Sequence, residues 1–337
     1  MKRILVVDDN VASLRQIGAQ LSTSYDLLLA RSGALALQIC VQERPDLVLL
    51  DVEMPEMDGF ETLSRLRQNP WLMRIPVIFL TGRHDAETEV RGLASGARDF
   101  IMKPVERSIL LHRIGLHLRF SDWQSHLENV VMEMSDSIAA SFAELIECRD
   151  ENTGGHVMRT GRYVERLGRE LLKRDIFAGE LSGSELDMIV RAAPLHDIGK
   201  IAISDRILLK PDRLSDEEFA IMKGHTTIGA EILESMYART PTQRYLRYAG
   251  MIAASHHERY DGKGYPRGLA GNNIPLCGRI MAVADVYDAL VDNRVYRRAM
   301  NHTEACRILL DGKGAQFDPA LIEIFESCNV EFDRMAH

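Results

Sequence analysis

The chain has 337 residues, 46% of them hydrophobic and 27% charged, a globular composition whose length predicts two domains. Its net charge of −8 argues against a dedicated nucleic-acid binder, which would carry a basic surplus on one face. There is no run of 18 apolar residues, no signal-peptide pattern after Met1 and no CxxC pair among the five cysteines, so we expect a reduced cytoplasmic protein that does not insert into membranes.

Five short apolar runs alternate with amphipathic segments in the first 120 residues. Four of these runs are nearly continuous, which is typical of strands buried on both faces of a parallel sheet. The alternation predicts a doubly wound five-stranded α/β domain with its site beyond the carboxyl ends of the strands. The predicted strands are Ile4–Val7, Tyr25–Leu29, Leu47–Leu50, Pro76–Leu80 and Asp99–Met102. The predicted helices are Asn10–Leu21, Gly33–Glu43 and Glu61–Gln68.

Polar residues follow the predicted strands at their carboxyl ends. Asp8 and Asp9 follow the first strand, Asp51 the third, Thr81 the fourth and Lys103 the fifth. Three carboxylates at one sheet edge would repel each other unless a cation joined them, and Mg²⁺ prefers such oxygen ligands. That cation and the Lys103 ammonium could together neutralise a phosphoryl group on Asp51. Strand termination and helix capping explain any single aspartate but not the whole set.

These residues, together with the string Asp51-Val-Glu-Met-Pro-Glu-Met-Asp-Gly59, resemble the receiver domain of two-component response regulators. The resemblance covers about residues 1–120. It implies that Asp51 accepts a phosphoryl group from a cognate histidine kinase. It also implies that Asp8 and Asp9 hold Mg²⁺ with Asp51.

The same resemblance implies a set of switch residues. Thr81 and Lys103 would sense the phosphoryl oxygens, and the bond between Lys103 and Pro104 would be cis. Phe100 matches the position of the rotating aromatic switch of the family. A core aromatic without a switching role is the alternative for Phe100.

A connecting helix is predicted over residues 121–147. From Leu116 the apolar residues recur at steps of four and three, and then at three successive steps of four, which indicates a heptad seam with a stutter. The seam residues are Leu116, Phe120, Trp123, Leu127, Val130, Met134, Ile138, Phe142 and Leu145. One interpretation is a parallel homodimer that carries the state of the first domain to the second. The alternative is an amphipathic helix packed against its own chain.

Residues 148–337 are predicted to form an all-helical domain, because strand-like runs are scarce there. Its predicted helices are Val157–Arg174, Gly183–Ala193, Asp216–Tyr237 and Asn301–Leu310. Five of the eleven histidines occur here in short motifs, and two aspartates lie among apolar neighbours, where an unpaired carboxylate is costly. The candidate metal ligands are His156, His196, Asp197, His225, His256, His257 and Asp285.

This ligand set exceeds the needs of one ion, whereas a dinuclear site with a bridging carboxylate uses all of it. A single histidine is more often a core or surface residue, but the combination reverses that expectation. Imidazole with carboxylate favours Fe, Mn, Ni or Zn over Ca²⁺. Two ions roughly 3.5–4 Å apart can activate water and neutralise charge on a phosphodiester. Lys200, one turn after His196 and Asp197, would project to the same face and hold a phosphate oxygen, unless it is a solvated surface lysine.

The strings Leu195-His-Asp-Ile-Gly-Lys200 and His256-His-Glu-Arg-Tyr-Asp-Gly-Lys-Gly-Tyr-Pro266 resemble the HD-GYP family of HD phosphohydrolases. The resemblance covers about residues 140–330. It implies hydrolysis of cyclic di-GMP to linear pGpG, and in some members to GMP. It implies that the seven candidate ligands hold two ions, Fe, Mn or Ni, with Asp197 as the bridge.

The HD-GYP resemblance also implies substrate contacts. These are Lys200, Tyr265, Arg294 and Arg297, with the Tyr265 ring able to stack on guanine.

One departure from the family concerns the third metal that some members bind. Asn152 stands where those members have a glutamate, and Glu151 lies one residue earlier. Neutral Asn is a poor ligand, so we expect two metals and pGpG as the product.

The leading hypothesis is a response regulator whose phosphorylation at Asp51 controls a cyclic di-GMP phosphodiesterase. One alternative is a cyclic di-GMP receptor or protein-interaction output in which the metals only shape a pocket. Another is a phosphodiesterase for a different cyclic dinucleotide, such as cyclic GMP-AMP. The complete ligand set disfavours the receptor. Diguanylate cyclases or other signalling proteins are further partners that this hypothesis allows.

Overall fold

Two units make up the chain, Met1–Val131 and Met132–His337. The computed structural model describes residues 1–82, 90–92, 94–149, 155–292 and 299–336. The two units meet inside one helix, whereas the sequence predicts domain boundaries after residues 120 and 147. Those two boundaries stay a prediction.

The first unit contains a sheet of five parallel strands in the order β2-β1-β3-β4-β5. The strands are β1 (Arg3–Val7), β2 (Asp26–Ala30), β3 (Leu47–Asp51), β4 (Val77–Thr81) and β5 (Asp99–Met102). Every residue of β3 and β4 is buried, which agrees with the continuous apolar runs that predict them. The predicted doubly wound α/β fold is confirmed. This strand order places the carboxyl ends of β1, β3, β4 and β5 along one edge of the sheet.

Three helices connect the first four strands. They are α1 (Val11–Leu21), α2 (Gly33–Glu43) and α3 (Gly59–Gln68). The Asn10 side chain caps α1, and the Asp58 side chain caps α3 by accepting from the backbone N–H of Glu61. Because of that cap, α3 begins two residues before the predicted start at Glu61.

A single helix, α4 (Arg107–Arg149), spans the predicted connector and extends beyond it at both ends. It begins nine residues before Leu116, because no proline interrupts the chain between Pro104 and Pro194. All nine seam residues are between 42% and 64% exposed. The seam is therefore open to solvent in the single chain, which does not agree with packing against its own chain.

The second unit is helical, as predicted. After α4 it contains α5 (His156–Lys173), α6 (Gly183–Ala192), α7 (Asp205–Leu208), α8 (Asp216–Arg239), α9 (Tyr245–Ala253), α10 (Leu276–Val291), α11 (His302–Asp311) and α12 (Pro319–Ala336). Short 3₁₀ turns cover Ala193–Leu195 and Ile198–Ala202. Lys200 lies in the second of these 3₁₀ turns and follows Asp197 by one turn, as the sequence analysis predicts.

Close packing fixes the second 3₁₀ turn against α8. A Cβ atom on Gly199 would lie 1.9 Å from the carbonyl oxygen of His225, so only glycine allows this approach. The contact brings the His196-Asp197 pair next to His225. Within the described part of the chain, no helix is both long and apolar enough to cross a bilayer.

Candidate metal centre and phosphorylation site

Three carboxylates and one ammonium group meet at the carboxyl edge of the sheet in the first unit. Ligand atoms of Asp8, Asp9 and Asp51 lie within 4.8 Å of one another. The Nζ of Lys103 lies 2.7 Å from Asp8 Oδ2 and 2.8 Å from Asp51 Oδ2. Burial raises the pKa of Asp51, and Lys103 opposes that rise only in part. A cation at this edge would compensate the charge of the three carboxylates.

The predicted switch residues surround this edge. Thr81 ends β4 and is buried, and the Lys103–Pro104 bond is cis, as the sequence analysis predicts. Phe100 lies on β5, where its partly buried ring packs 5.2 Å from the ring of Phe79. This packing agrees with the core alternative for Phe100, and ring rotation stays a prediction.

In the second unit, Asp197 lies between two groups of histidines. Its Oδ1 is 3.2 Å from His225 Nε2 and 3.5 Å from His256 Nε2. Its Oδ2 is 3.4 Å from His196 Nε2 and 2.8 Å from Lys200 Nζ. Burial alone would raise the pKa of Asp197, but Lys200 and His196 outweigh it and hold that pKa well below its usual range. An ionised carboxylate whose two oxygens face different donor groups is suited to bridge two ions.

Backbone carbonyls fix the tautomer of three of these histidines. The Nδ1–H groups of His196, His225 and His256 donate to carbonyl oxygens three or four residues earlier, at 2.9, 2.7 and 3.0 Å. Because a carbonyl only accepts, each ring carries a proton on Nδ1, which leaves Nε2 as the nitrogen that can bind a metal. A metal-binding histidine is oriented in this way.

Four of the atoms that could bind a metal have no hydrogen-bond partner among the described residues. These buried atoms are the Nε2 atoms of His196, His225 and His256 and the Oδ1 atom of Asp197. An unsatisfied buried polar atom costs about 1–3 kcal/mol, which a bound cation would remove. The residues fit metal ions for this reason.

The seven predicted ligands form two clusters. Asp197, His225, His256 and His257 offer ligand atoms within 4.8 Å of one another, and so do His156, His196 and Asp285.

His156 is held by a carboxylate and an arginine that the sequence analysis does not identify. Its Nδ1 donates to Asp288 Oδ2 at 2.7 Å, while its Nε2 lies 3.5 Å from Asp285 Oδ1. Arg159 donates to both oxygens of Asp288, at 2.7 and 2.9 Å, and also contacts Asp292. Helical spacing could have found these residues, because Asp288 lies one turn after Asp285 and Arg159 one turn after His156.

Glu147, near the end of α4, is a second residue that the sequence analysis does not identify. It is 6% exposed, and its Oε1 lies 3.7 Å from His156 Nε2. That separation is long for a hydrogen bond. Two ligands that are each about 2.1 Å from one ion lie roughly 3.0–3.6 Å apart. At 3.7 Å, Glu147 is close to His156 but just beyond that range, so it is a neighbour of the cluster of His156, His196 and Asp285 and not one of its members, and no motif in the sequence marks it.

The loop that follows His257 positions Tyr265. Buried Glu258 accepts from the backbone N–H groups of Arg267 and Leu269, at 2.8 and 3.0 Å. A Cβ atom on Gly264 would lie 2.3 Å from the Arg259 nitrogen, so this tight loop requires glycine. The Tyr265 ring stacks on His257 with 4.8 Å between ring centroids.

Four residues singled out in the sequence lie outside the described residues. Arg294 and Arg297 are expected substrate contacts, and Asn152 and Glu151 belong to the argument about a third metal. Their expected roles stay predictions.

Comparisons with known proteins match both units. The model of the HD domain matches residues 140–321, and that of the response regulator receiver domain matches residues 4–115. A probable cyclic di-GMP phosphodiesterase of Vibrio cholerae is 42% identical over 337 residues, which covers 96% of this chain and 76% of that protein. The cyclic di-GMP phosphodiesterase response regulator RpfG of Xanthomonas campestris is 36% identical, covering 95% of this chain and 86% of that protein.

A third relative matches just over half of the chain. The 3′3′-cGAMP-specific phosphodiesterase 2 of Vibrio cholerae is 42% identical over 192 residues, covering 57% of this chain and 34% of that protein. HD domain phosphohydrolases depend on metals, and receiver domains bind Mg²⁺. The HD domain match extends over more than half of the chain and follows a receiver domain. The chain therefore belongs to the HD domain family, as a response regulator in which a receiver domain precedes the HD domain.

Proposed function

We propose that this response regulator hydrolyses cyclic di-GMP to linear pGpG at a dinuclear metal centre, under the control of phosphorylation at Asp51. The observation that carries the proposal is Asp197, whose two carboxylate oxygens face different groups of histidines. Two relatives that match almost the whole chain are named for cyclic di-GMP phosphodiesterase activity. One of them is also named as a response regulator.

In the proposed mechanism, the side chains of the second unit bind and orient the phosphodiester. When bound, two ions would supply Lewis acidity and lower the pKa of water. Asp197 bridges the two ligand clusters, and Lys200, 2.8 Å from Asp197, is close enough to contact a phosphate oxygen as well. Tyr265 holds a guanine by stacking. Arg294 and Arg297 clamp the phosphates, and this role rests on the family resemblance alone.

We propose two ions of Fe, Mn or Ni, held by the seven predicted ligands. Imidazole and carboxylate donors suit these metals, and the two clusters of four and three residues give each ion its own ligands. Asn152 provides no charge for a third ion, so we expect pGpG to accumulate.

In the first unit, we propose that Asp51 accepts a phosphoryl group from a cognate histidine kinase, with Mg²⁺ held by Asp8, Asp9 and Asp51. The proximity of Lys103 to Asp8 and Asp51 supports this role, because its ammonium would also neutralise phosphoryl oxygens. Thr81, buried at the end of β4, would contact the same oxygens.

We propose that the seam of α4 binds a second copy of this chain as a parallel dimer. The seam carries nine exposed apolar side chains at heptad-like spacing, and burying them against an identical helix would remove them from water. Sedimentation analysis tests this proposal. Trp123→Glu should lower the mass to that of a monomer, whereas Ser125→Glu, on an exposed position between seam residues, should not. A wild-type protein that is monomeric at all concentrations would contradict the dimer.

A cyclic GMP-AMP substrate is the second candidate. The relative named as 3′3′-cGAMP-specific is 42% identical over 57% of this chain, the same identity that the first relative shows over 96% of it. Parallel measurement of kcat/KM for the two cyclic dinucleotides decides between them.

The test of the proposed function is anaerobic incubation of Mn²⁺- or Fe²⁺-loaded protein with cyclic di-GMP, with separation of the products by chromatography. We expect pGpG from the wild type and none from Asp197→Ala. Asp187→Ala, which removes an exposed aspartate of α6, is the matched control and should remain active. Intact cyclic di-GMP after incubation with either metal, with and without phosphorylation, would contradict the proposal.

A further inference from the structure

An exposed aromatic side chain lies beside the loop that carries Tyr265. Phe219, in the first turn of α8, is 46% exposed, and its ring centroid is 6.1 Å from that of Tyr265 at an angle of 79°. Burial of a phenylalanine ring is favourable, so a ring left this exposed next to a proposed substrate-binding residue is available for a ligand.

A lysine one helical turn later lies over the same two rings. The Nζ of Lys223 is 5.1 Å from the centroid of Phe219 and 5.9 Å from that of Tyr265. Among the described residues, no carboxylate forms an ion pair with this ammonium group. At an exposed surface, cation–π contacts stabilise the Lys223 ammonium only weakly. The ammonium can therefore contact an anion with little loss of free energy.

These side chains form a row that leads outward from the metal ligands. His257 belongs to one ligand cluster, Tyr265 stacks on His257, and Phe219 lies against Tyr265. Exposure increases along the row, from partly buried His257 and Tyr265 to exposed Phe219. Phe219 is two ring-to-ring steps from a proposed metal ligand, which a substrate made of two linked nucleotides can bridge.

A cyclic dinucleotide contains two bases and two phosphates, and the metal centre can act on only one phosphodiester at a time. The other nucleotide needs a site with a stacking surface and a cation. We propose that Phe219 and Lys223 form this second subsite, in which Phe219 stacks on the distal base and Lys223 contacts the phosphate that is not cleaved. This inference rests on the proposed function. It assigns a binding site to the nucleotide that the metal ligands do not hold.

The test compares two substrates across matched variants of α8. Cyclic di-GMP needs the subsite, whereas bis(p-nitrophenyl) phosphate carries no nucleotide base and reports on the metal centre alone. The variants are Phe219→Ala, Phe219→Trp and Lys223→Met, and the control is Ile221→Ala, which removes another exposed apolar side chain of the same helix.

We expect Phe219→Ala to raise KM for cyclic di-GMP about tenfold with little change in kcat, because stacking binds ground state and transition state alike. Phe219→Trp should restore the wild-type KM, and Lys223→Met should raise KM in a way that disappears at high salt. Ile221→Ala should match the wild type. Hydrolysis of bis(p-nitrophenyl) phosphate and the metal content should not change in any variant.

Two results would overturn the inference, and they can be told apart. If the wild type hydrolyses cyclic di-GMP and Phe219→Ala has an unchanged KM, the subsite is wrong while the proposed function stands. If the wild type hydrolyses bis(p-nitrophenyl) phosphate but not cyclic di-GMP, the proposed substrate is wrong and the subsite falls with it.

Discussion

Asp288 provides a direct test of how the metal ligands are positioned. It does not belong to either ligand cluster, yet its Oδ2 accepts the Nδ1–H of His156 at 2.7 Å and thereby directs the Nε2 lone pair of His156 towards Asp285. Asp288 is fully buried, and Arg159 donates to both of its oxygens. The variant Asp288→Asn keeps the size of the side chain and an oxygen acceptor but removes the charge.

The expected effect of Asp288→Asn follows from these three charge-assisted contacts. Loss of a carboxylate behind a metal-binding histidine typically costs 10–100-fold in metal affinity, or about 1.4–2.8 kcal/mol. We expect this loss at the ion held by His156. The other ion, held by the cluster of His225, should bind almost as in the wild type. Burial would raise the pKa of Asp288, but His156 and Arg159 lower it, so the wild-type group is charged at neutral pH.

The assay is titration of metal-free protein with Mn²⁺, followed by electron paramagnetic resonance and calorimetry, which resolve two binding events. Asp292→Asn is the matched control, because it removes the other carboxylate that contacts Arg159 and leaves the pair of Asp288 and His156 intact. Two binding events with wild-type affinities in Asp288→Asn would refute the argument that Asp288 orients His156.

Three further predictions concern other sites. Lys103→Met should move the pH profile of Asp51 phosphorylation by acetyl phosphate to higher pH, because burial already raises the pKa of Asp51 and the variant removes the ammonium that opposes it; an unmoved profile would contradict this. Gly199→Ala should destabilise the second unit by about 1–3 kcal/mol in urea unfolding, since its Cβ would clash with the His225 carbonyl, and a wild-type midpoint would show that α8 can shift freely. For Asp285, burial would raise the pKa, but His196 and His156 outweigh burial and lower the pKa to about 2. The metal-free protein should therefore lose folding stability as the pH falls from about 4 towards 2. The variant Asp285→Asn should lose less folding stability than the wild type over that range.

The sequence predicts the receiver fold and the seven residues that the structure brings together in two clusters, because each depends on a local pattern. Buried parallel strands are continuous apolar runs, and the runs at Leu47 and Val77 have no competing interpretation. The histidines stand in motifs whose spacing is unusual by itself. The prediction that Lys200 follows Asp197 by one turn and faces the same side is confirmed. The sequence does not show that this turn is 3₁₀ or that Gly199 packs closely against α8.

Residues that act through tertiary contacts are not predictable in this way. Glu147 and His156 are separated by residues that carry no pattern for their contact, and Phe219 becomes notable only because the Tyr265 loop folds back against α8. Arg159 reaches Asp288 across more than a hundred residues. Each of these pairings depends on how the helices of the second unit pack. The hydrophobic periodicity of a single segment carries no information about that packing.

Helix α4 starts at Arg107, in the first unit, and ends two residues after Glu147, which contacts a proposed metal ligand. If this continuous helix couples the two sites, phosphorylation and metal binding influence each other reciprocally. If a phosphorylated Asp51 changes how the end of α4 is seated, and so changes metal affinity by some factor, then metal loading changes the affinity of the receiver for a phosphoryl analogue by the same factor. The metal supply of the cell would then act as an input to this response regulator in the same sense as its kinase.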